Sequence, residues 1–505
     1  MSAAPGPVLA VRVDRFAHDA DGPPVLQGVR LALGPGSLTA VLGASGSGTT
    51  TLARIASGWA LGSGHAEFTG ALALEGAAPL VFSPGNAPRL SLGAWGREVA
   101  FVPERAADLL TGASASVGEE IAFSLGQRAV PRAEMERRVP SAAAEVGLGA
   151  LLEHPVEGLS GGQLRRLALA CALVDDPRVL VLDSPESSLD ADGVAALGRA
   201  VRGLRRRGAA VVLVGSCAGP LARSADHWVV LGAGTVAAEG PPAVVRPSAA
   251  FASSGVLPAD PAEAEPPVPA GAPAVRAAPV HGRSPAQAAA ELEGVRVSYR
   301  SRSVPVLVDA HLAVAAGETV AVAGPNGAGK STLLRTLAGL VRPEAGTVRI
   351  TGRDVGGIPA GRIAEQVGTL FQDPRDQLFE RTCEREVAFG LARLGLGPGE
   401  VRPRALEALD AVGLAAAASR HPYELPGSHQ RLLALATVLA RRPRVLVLDE
   451  PTVGLDRDGL EALERTIAAA AEAGTAVVLA THALPWAGRR ADRVLALSGG
   501  RIVGT

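Results

Sequence analysis

Two patterns of apolar residues alternate along this chain. Short continuous runs such as VAVAG (residues 320–324) and VLVLDE (residues 445–450) have no polar break, as in parallel strands buried on both faces. Longer stretches, STLLRTLAGL (331–340) and LEALERTIAAAAEA (460–473), place apolar residues at helical spacing. The alternation predicts an α/β fold with a parallel or mixed sheet core and ligand chemistry at the carboxyl ends of its strands. The middle of each half, about residues 119–159 and 386–425, reads as a mostly helical lobe.

The pattern then occurs a second time. A Gly-rich segment, VLGASGSGTTTL (41–52), returns as VAGPNGAGKSTL (322–333); RVLVLDSPESSLD (178–190) returns as RVLVLDEPTVGLD (444–456). The offset is 281 residues at the first pair and 266 at the second, so small insertions alone separate the halves. Both halves close on an apolar run, AVVLVGSC (210–217) or AVVLATHA (476–483), followed by SADHWVVL (224–231) or RADRVLAL (490–497). Between them lies a Pro/Ala-rich stretch with few bulky residues. The expected layout is a first domain over residues 1–245, a linker over 246–290 and a second domain over 291–505.

Composition narrows the function. Lys+Arg total 49 and Asp+Glu total 50, a net charge of -1, so no nucleic-acid partner is expected. Aromatics are only 3% of the chain, leaving Ala, Leu and Val to build the cores. The three cysteines (Cys171, Cys217, Cys383) have no metal-like spacing and fit a reducing compartment. Cys171 falls on a helix as a core residue, not a reactive one. No uncharged apolar run reaches the ~18 residues of a membrane span, and the start lacks a signal-peptide pattern, so a cytoplasmic protein is expected. Of the 49 basic residues, 48 are arginines and one is Lys330. Lysine and arginine are not interchangeable at a tight phosphate site.

Lys330 lies in Gly324-Pro325-Asn326-Gly327-Ala328-Gly329-Lys330-Ser331-Thr332, which matches G-x-x-x-x-G-K-[ST] between a strand and a helix. Such glycines turn backbone N–H groups inward around phosphates, and the helix N-terminus adds partial positive charge. Lys330 would reach the β- and γ-phosphates and the Ser331 hydroxyl would bind Mg²⁺. Asp449 would hold Mg²⁺, while Glu450 can orient and deprotonate the attacking water. His482 could contact the γ-phosphate, and Gln372 could touch Mg²⁺ or the water.

These residues, in this order, resemble the ATP-binding subunits of ABC transporters, and the resemblance covers both halves apart from the linker and the ends. It implies two tandem P-loop NTPase domains that bind ATP and Mg²⁺. The segment most particular to that family is LSGGQ, here Leu159-Ser160-Gly161-Gly162-Gln163. In the family it closes on the γ-phosphate of ATP held by the partner domain. Tyr299, 25 residues before Gly324, stands where the family stacks an aromatic on adenine, with Phe16 as a looser counterpart in the first half.

The halves are defective in complementary ways. In the first, Thr49 replaces the lysine, Ser184 the glutamate, Glu104 the glutamine and Ser216 the histidine, although Gly43, Gly46, Gly48, Thr50 and Asp183 remain. In the second, LSGGQ becomes Leu425-Pro426-Gly427-Ser428-His429. Family members pair head to tail, with each ATP between one P-loop and the other LSGGQ. The resemblance therefore implies one complete and one dead site, with the halves pairing within one chain. The linker's reach of roughly 35 Å permits this.

The segment FQDPRDQLFERTCEREVAFG (371–390) is similar to that of energy-coupling factor (ECF) transporter ATPases, which power uptake of vitamins or of transition-metal ions. That resemblance implies a transmembrane subunit and a membrane substrate-binding component as partners, and a peripheral position on the cytoplasmic face of the membrane. The alternatives are a sugar-type importer ATPase with two fused cassettes, a soluble translation-factor-type ABC protein and a non-catalytic nucleotide switch. The transported substrate is not readable, since an ATPase subunit does not touch it.

Overall fold

The computed structural model describes residues 6–19, 22–61, 66–187, 189–258, 288–299, 304–392 and 394–504. Its contacts divide the chain into two units, Met1–Glu263 and Ala264–Thr505.

Each unit is built on a six-stranded sheet. In the first the order is Thr235–Gly240, His227–Gly232, Leu38–Gly43, Ala210–Gly215, Val179–Asp183, Val99–Val102; only the Thr235–Gly240 edge runs antiparallel. The second repeats it with Arg501–Gly504, Arg493–Ser498, Thr319–Ala323, Ala476–Ala480, Val445–Asp449 and Val367–Leu370. Every residue of Val445–Asp449 and Ala476–Ala480 is buried, which is why their sequences carry no polar alternation.

A second sheet in each unit is antiparallel and four-stranded. In the first unit Leu9–Ala17 is flanked by Leu26–Leu33 and Glu67–Leu74; in the second, Ala288–Val297 is flanked by Leu307–Ala315 and Ala345–Ile350. LAVRVDRFA alternates, with Val11 and Val13 inward and Arg12 and Asp14 outward, as a half-solvated strand requires. The expected helical lobes are also present: Val117–Gln127, Arg132–Glu145 and Gly161–Leu173 in one unit, Cys383–Ala392, Pro398–Ala411 and Gly427–Leu439 in the other.

The linker was expected to begin at residue 246, but the first unit extends further. Residues 246–258 fold back over it as a short helix, Ala249–Ala252, and a two-residue strand, Leu257–Pro258, that pairs in parallel with Cys217–Ala218. Phe251 packs against Trp228 at 5.3 Å between ring centres, and Val256 is fully buried. Two bulky residues in an otherwise small-residue stretch suffice to anchor it, because burying each contributes about 1.5–3 kcal/mol. At the other end, residues 288–290 already belong to the strand Ala288–Val297. The remainder of the expected linker lies outside the described residues. No helix among the described residues is long and apolar enough to cross a membrane.

Candidate nucleotide sites

In the second unit the Gly-rich loop leaves strand Thr319–Ala323 and enters helix Lys330–Leu337. Gly327 and Gly329 have φ of 82° and 106°, a left-handed backbone open to glycine at little cost. At Gly329 a Cβ would stand 2.9 Å from the Val306 carbonyl oxygen, and at Gly324 2.5 Å from that of Leu497. Nothing lies within 4 Å of a Cβ built on Gly327, which is exposed and faces open space. Lys330 is buried, and its Nζ donates to the carbonyl oxygens of Gly324 (2.7 Å) and Pro325 (3.2 Å). The lone lysine is thus held over the loop. Thr332, buried in the first turn, meets the Tyr299 hydroxyl at 3.3 Å, which brings the half-buried tyrosine to the same helix.

Ser331, next after Lys330, stands beside the Asp449 carboxyl. Burial raises the Asp449 carboxyl above its ordinary range, and the Ser331 hydroxyl opposes the shift. A hydroxyl and a buried carboxylate side by side are hard oxygen donors, so the residues fit Mg²⁺ with the remaining positions left to phosphates and water. Glu450 follows with φ of 49°, a strained value for a residue other than glycine. Its Oε2 lies 2.9 Å from His482 Nδ1 and 3.3 Å from the His482 backbone N, so the two expected catalytic groups meet. Gln372 is exposed, and its backbone carbonyl accepts from Arg431.

In the first unit the loop keeps its shape without its chemistry. Gly46 and Gly48 retain φ of 80° and 97°, and Thr50 donates to Asp183 at 3.3 Å. Ser184 keeps the left-handed backbone (φ 47°) of the position held by Glu450. The Asp183 carboxyl is pushed up to about 7, first by burial and then by the Glu104 carboxylate. The folded chain therefore holds a proton there that the unfolded chain has lost above its ordinary value of 3.8. Stability drawn from that group is present at low pH, falls as pH rises through the window up to about 7, and is gone above it. Asp183→Asn in the nucleotide-free chain should raise the melting temperature at pH 8 by at least about 2–4 °C. The gain should shrink as pH falls and vanish only below the ordinary value of 3.8, so at pH 5 it is smaller but still present. An unchanged parental pH trend in Asp183→Asn would assign the effect to another group.

Phe16 is fully buried and edge-on to His18 at 5.3 Å, so it is core and not a second adenine platform.

The LSGGQ segment opens helix Gly161–Leu173. Ser160 is its N-cap: Ser160 Oγ accepts from Gln163 N (3.3 Å) and Gln163 Oε1 accepts from Ser160 N (2.8 Å), a reciprocal capping box. Gly161, in the first turn of this helix, is exposed. The second unit starts the matching helix, Gly427–Leu439, on Pro426, with no side-chain cap. The offset of the two helix starts is 427 − 161 = 266, as for the strands that follow, which aligns Ser160 with Pro426 and Gly162 with Ser428. Ser428 is buried, so its side chain packs inward.

The buried arginine on this helix was not among the sequence candidates. Arg431 Nη1 donates to the Glu450 carbonyl (3.3 Å) and Nη2 to the Gln372 carbonyl (2.9 Å). Arg165 donates to the carbonyls of Ser184 and Glu104, the same two positions, in the first unit. The repeat itself was the available signal, because the two arginines share the 266-residue offset.

Next to this site the DPRDQLF segment forms a short turn, Pro374–Gln377, capped by Asp373, whose Oδ1 accepts from Arg375 N at 3.0 Å. Arg375 Nε donates to Gln430 Oε1 (3.1 Å), and its guanidinium lies 6.0 Å from the centre of the Tyr423 ring. Phe379 is 60% exposed and stands edge-on to Phe389, itself 42% exposed, at 4.8 Å. Glu386, buried beneath, accepts from the N–H groups of Phe379 (2.7 Å) and Glu380 (2.6 Å) and so holds the phenylalanine outward.

The sequence profile described as ABC transporter matches residues 26–187 and 307–453, one match in each unit. Along most of its length the chain is similar to a protein of Methanosarcina acetivorans named as an ABC transporter ATP-binding protein. The two are 29% identical over 94% of this chain and 82% of the other. It is also similar to the energy-coupling factor transporter ATP-binding protein EcfA of Methanothermobacter thermautotrophicus, 39% identical over 42% of this chain and 69% of that protein. Among solved structures it is similar to cbiO1 from Clostridium perfringens, described as part of the ABC transporter complex cbiONQ. There the identity is 28%, the coverage 43% of this chain and 87% of that one, and the TM-score 0.40.

Proposed function

Because the chain belongs to the ABC transporter family as an ATP-binding, ATP-hydrolysing subunit, we propose that it drives an ECF-type importer of a vitamin or a transition-metal ion with one competent ATP site. The observation that carries the single-site reading is how the defects are distributed. Lys330, Glu450, His482 and Gln372 all lie in the second unit, and the LSGGQ glycines lie in the first. Head-to-tail pairing of the two units would unite these into one complete site and leave Thr49, Ser184 and Pro426 around the other. Independent decay of two active sites would seldom segregate in this way.

At the complete site, Ser331 and Asp449 would hold Mg²⁺, and Tyr299 would support the adenine. The metal, when bound, supplies positive charge to the phosphate oxygens. Glu450, oriented by His482, accepts a proton from the attacking water. Lys330 exchanges its two loop carbonyls for phosphate oxygens and keeps charge neutralisation in a buried place where it counts most. At the other site Thr49 offers no charge, and Glu104 adds a carboxylate on the side where phosphates would come. Thr49→Lys is therefore expected to leave steady-state ATP turnover within error of the parent. A doubled rate would overturn the dead-site reading.

Attachment to a transmembrane subunit is supported by an exposed aromatic pair, Phe379 on a loop fixed by Glu386 and Arg375 and Phe389 on the adjoining helix Cys383–Ala392. Such a pair suits an apolar helix end presented by the partner. In the first unit ERAADLLTG occupies this place without the pattern, so attachment is assigned to the second unit alone. Phe379→Asp, co-expressed with the membrane subunit, should move the chain from the membrane pellet to the supernatant while ATP binding is kept. Undiminished pelleting would remove this surface from the docking site. Co-purification with a small membrane-embedded binding component, and not with a soluble sugar-binding protein, would separate the ECF type from a sugar importer.

A further inference from the structure

We propose that Arg431 is a positioning residue that locks the proposed general base and the partner-docking loop into one mechanical unit; this rests on the reading of Glu450 as the base. Arg431 is buried, and its planar fork spans two segments distant in sequence, reaching the Gln372 and Glu450 carbonyls. Glu450 is left-handed (φ 49°), and a backbone in that sparsely populated region persists only where surrounding contacts over-determine it. The guanidinium holds the carbonyl of that very residue, so it fixes the direction in which the Glu450 side chain leaves the strand.

The preceding residue ties the same loop further along. Gln430 accepts from Arg375 through Oε1 and donates through Nε2 to the Leu425 carbonyl (2.9 Å). Residues 430 and 431 thus hold the docking loop at Gln372 and at Arg375. A shift of the loop on docking would reach the Glu450 backbone through Arg431.

The first unit provides an internal comparison. Its glutamate, glutamine and histidine are gone, yet Arg165 still holds the carbonyls of Ser184 and Glu104, and Ser184 is still left-handed. The clamp therefore acts on backbone geometry and not through the reacting side chains. Leu164 and Ala107 stand where the second unit has Gln430 and Arg375, so the second tie is specific to the half with the chemistry.

The test is made on the full chain. Arg431→Met should lower kcat on the order of 10- to 100-fold, the scale of an ångström-sized misplacement of a catalytic group. Its KM and the Kd for fluorescent ATP should stay within about 3-fold of the parent, since the phosphate loop is untouched. Arg431→Lys keeps the charge but reaches at most one carbonyl, and should fall between the two with parental melting. Either of two results would overturn the inference. One is a parental kcat in folded Arg431→Met. The other is a loss of kcat matched by equal losses in ATP affinity or folded fraction, as a purely structural role predicts. If Arg431→Met does not fold, Arg431→Lys decides: a parental rate overturns the inference and an intermediate kcat with unchanged Kd supports it. Glu450→Gln is measured in parallel. Surviving turnover there would defeat the base assignment and this inference with it, whereas its loss alongside a parental Arg431→Lys would defeat the positioning role alone.

Discussion

Glu450→Gln is expected to reduce ATP turnover of the full chain by on the order of 100- to 10,000-fold, the range associated with a positioned general base, while ATP still binds. Glutamine has the same shape and can still accept from the His482 backbone N–H that Glu450 Oε2 meets at 3.3 Å. It cannot take a proton. The loss should be nearly complete, not half, because the other unit carries Ser184 at that position and has no second base to sustain turnover. Lys330→Ala should behave differently and lose binding together with turnover, since it removes the buried cation in contact with the loop carbonyls of Gly324 and Pro325. The discriminating measurement is equilibrium ATP binding beside steady-state hydrolysis for both variants. Half of the parental rate in Glu450→Gln would reveal a second working site and overturn the single-site proposal.

The phosphate loop was legible in the sequence because its physics is local. Glycine spacing, one lysine and the next hydroxyl are consecutive residues, and the strand before and helix after them have unmistakable periodicity. The first unit's failures were legible for the same reason, by alignment against the repeat. What escaped was non-local or depended on a few residues in unremarkable surroundings. Arg431 acts on two carbonyls 59 and 19 residues away, and no side-chain pattern marks a backbone acceptor. The folded segment at 246–258 was hidden by Ala, Ser and Pro around Phe251 and Val256. Phe16 looked available because an aromatic at a strand end has no sequence mark for which face it takes; its strand turns it into the core. Ser428 replaces a glycine of the LSGGQ pattern, and no sequence signal tells that its side chain is buried in the first turn of helix Gly427–Leu439.

Ser160→Arg is expected to abolish hydrolysis although Ser160 belongs to the unit whose own phosphate loop is dead. Ser160 caps helix Gly161–Leu173 at its positive end, and under the proposed pairing that end faces the γ-phosphate of ATP held by Lys330. Arginine there loses the cap, worth about 1 kcal/mol, and adds a bulky side chain where the phosphate would approach. Loss of one preorganised donor to a developing charge typically lowers turnover by about 10²–10³, and the added bulk should take the rate to background. ATP affinity at the Lys330 loop should fall only modestly, because that loop is complete within the second unit. The matching control is Pro426→Arg, not a change at buried Ser428, since Pro426 is aligned with Ser160 and partly exposed. It faces the dead site in the proposed pairing and should leave turnover within about 2-fold. If two chains instead paired second unit to second unit, Pro426 would stand over each working ATP and Ser160 over none. Steady-state rates of the two variants then exchange places: an active Ser160→Arg beside an inactive Pro426→Arg would rule out pairing within one chain.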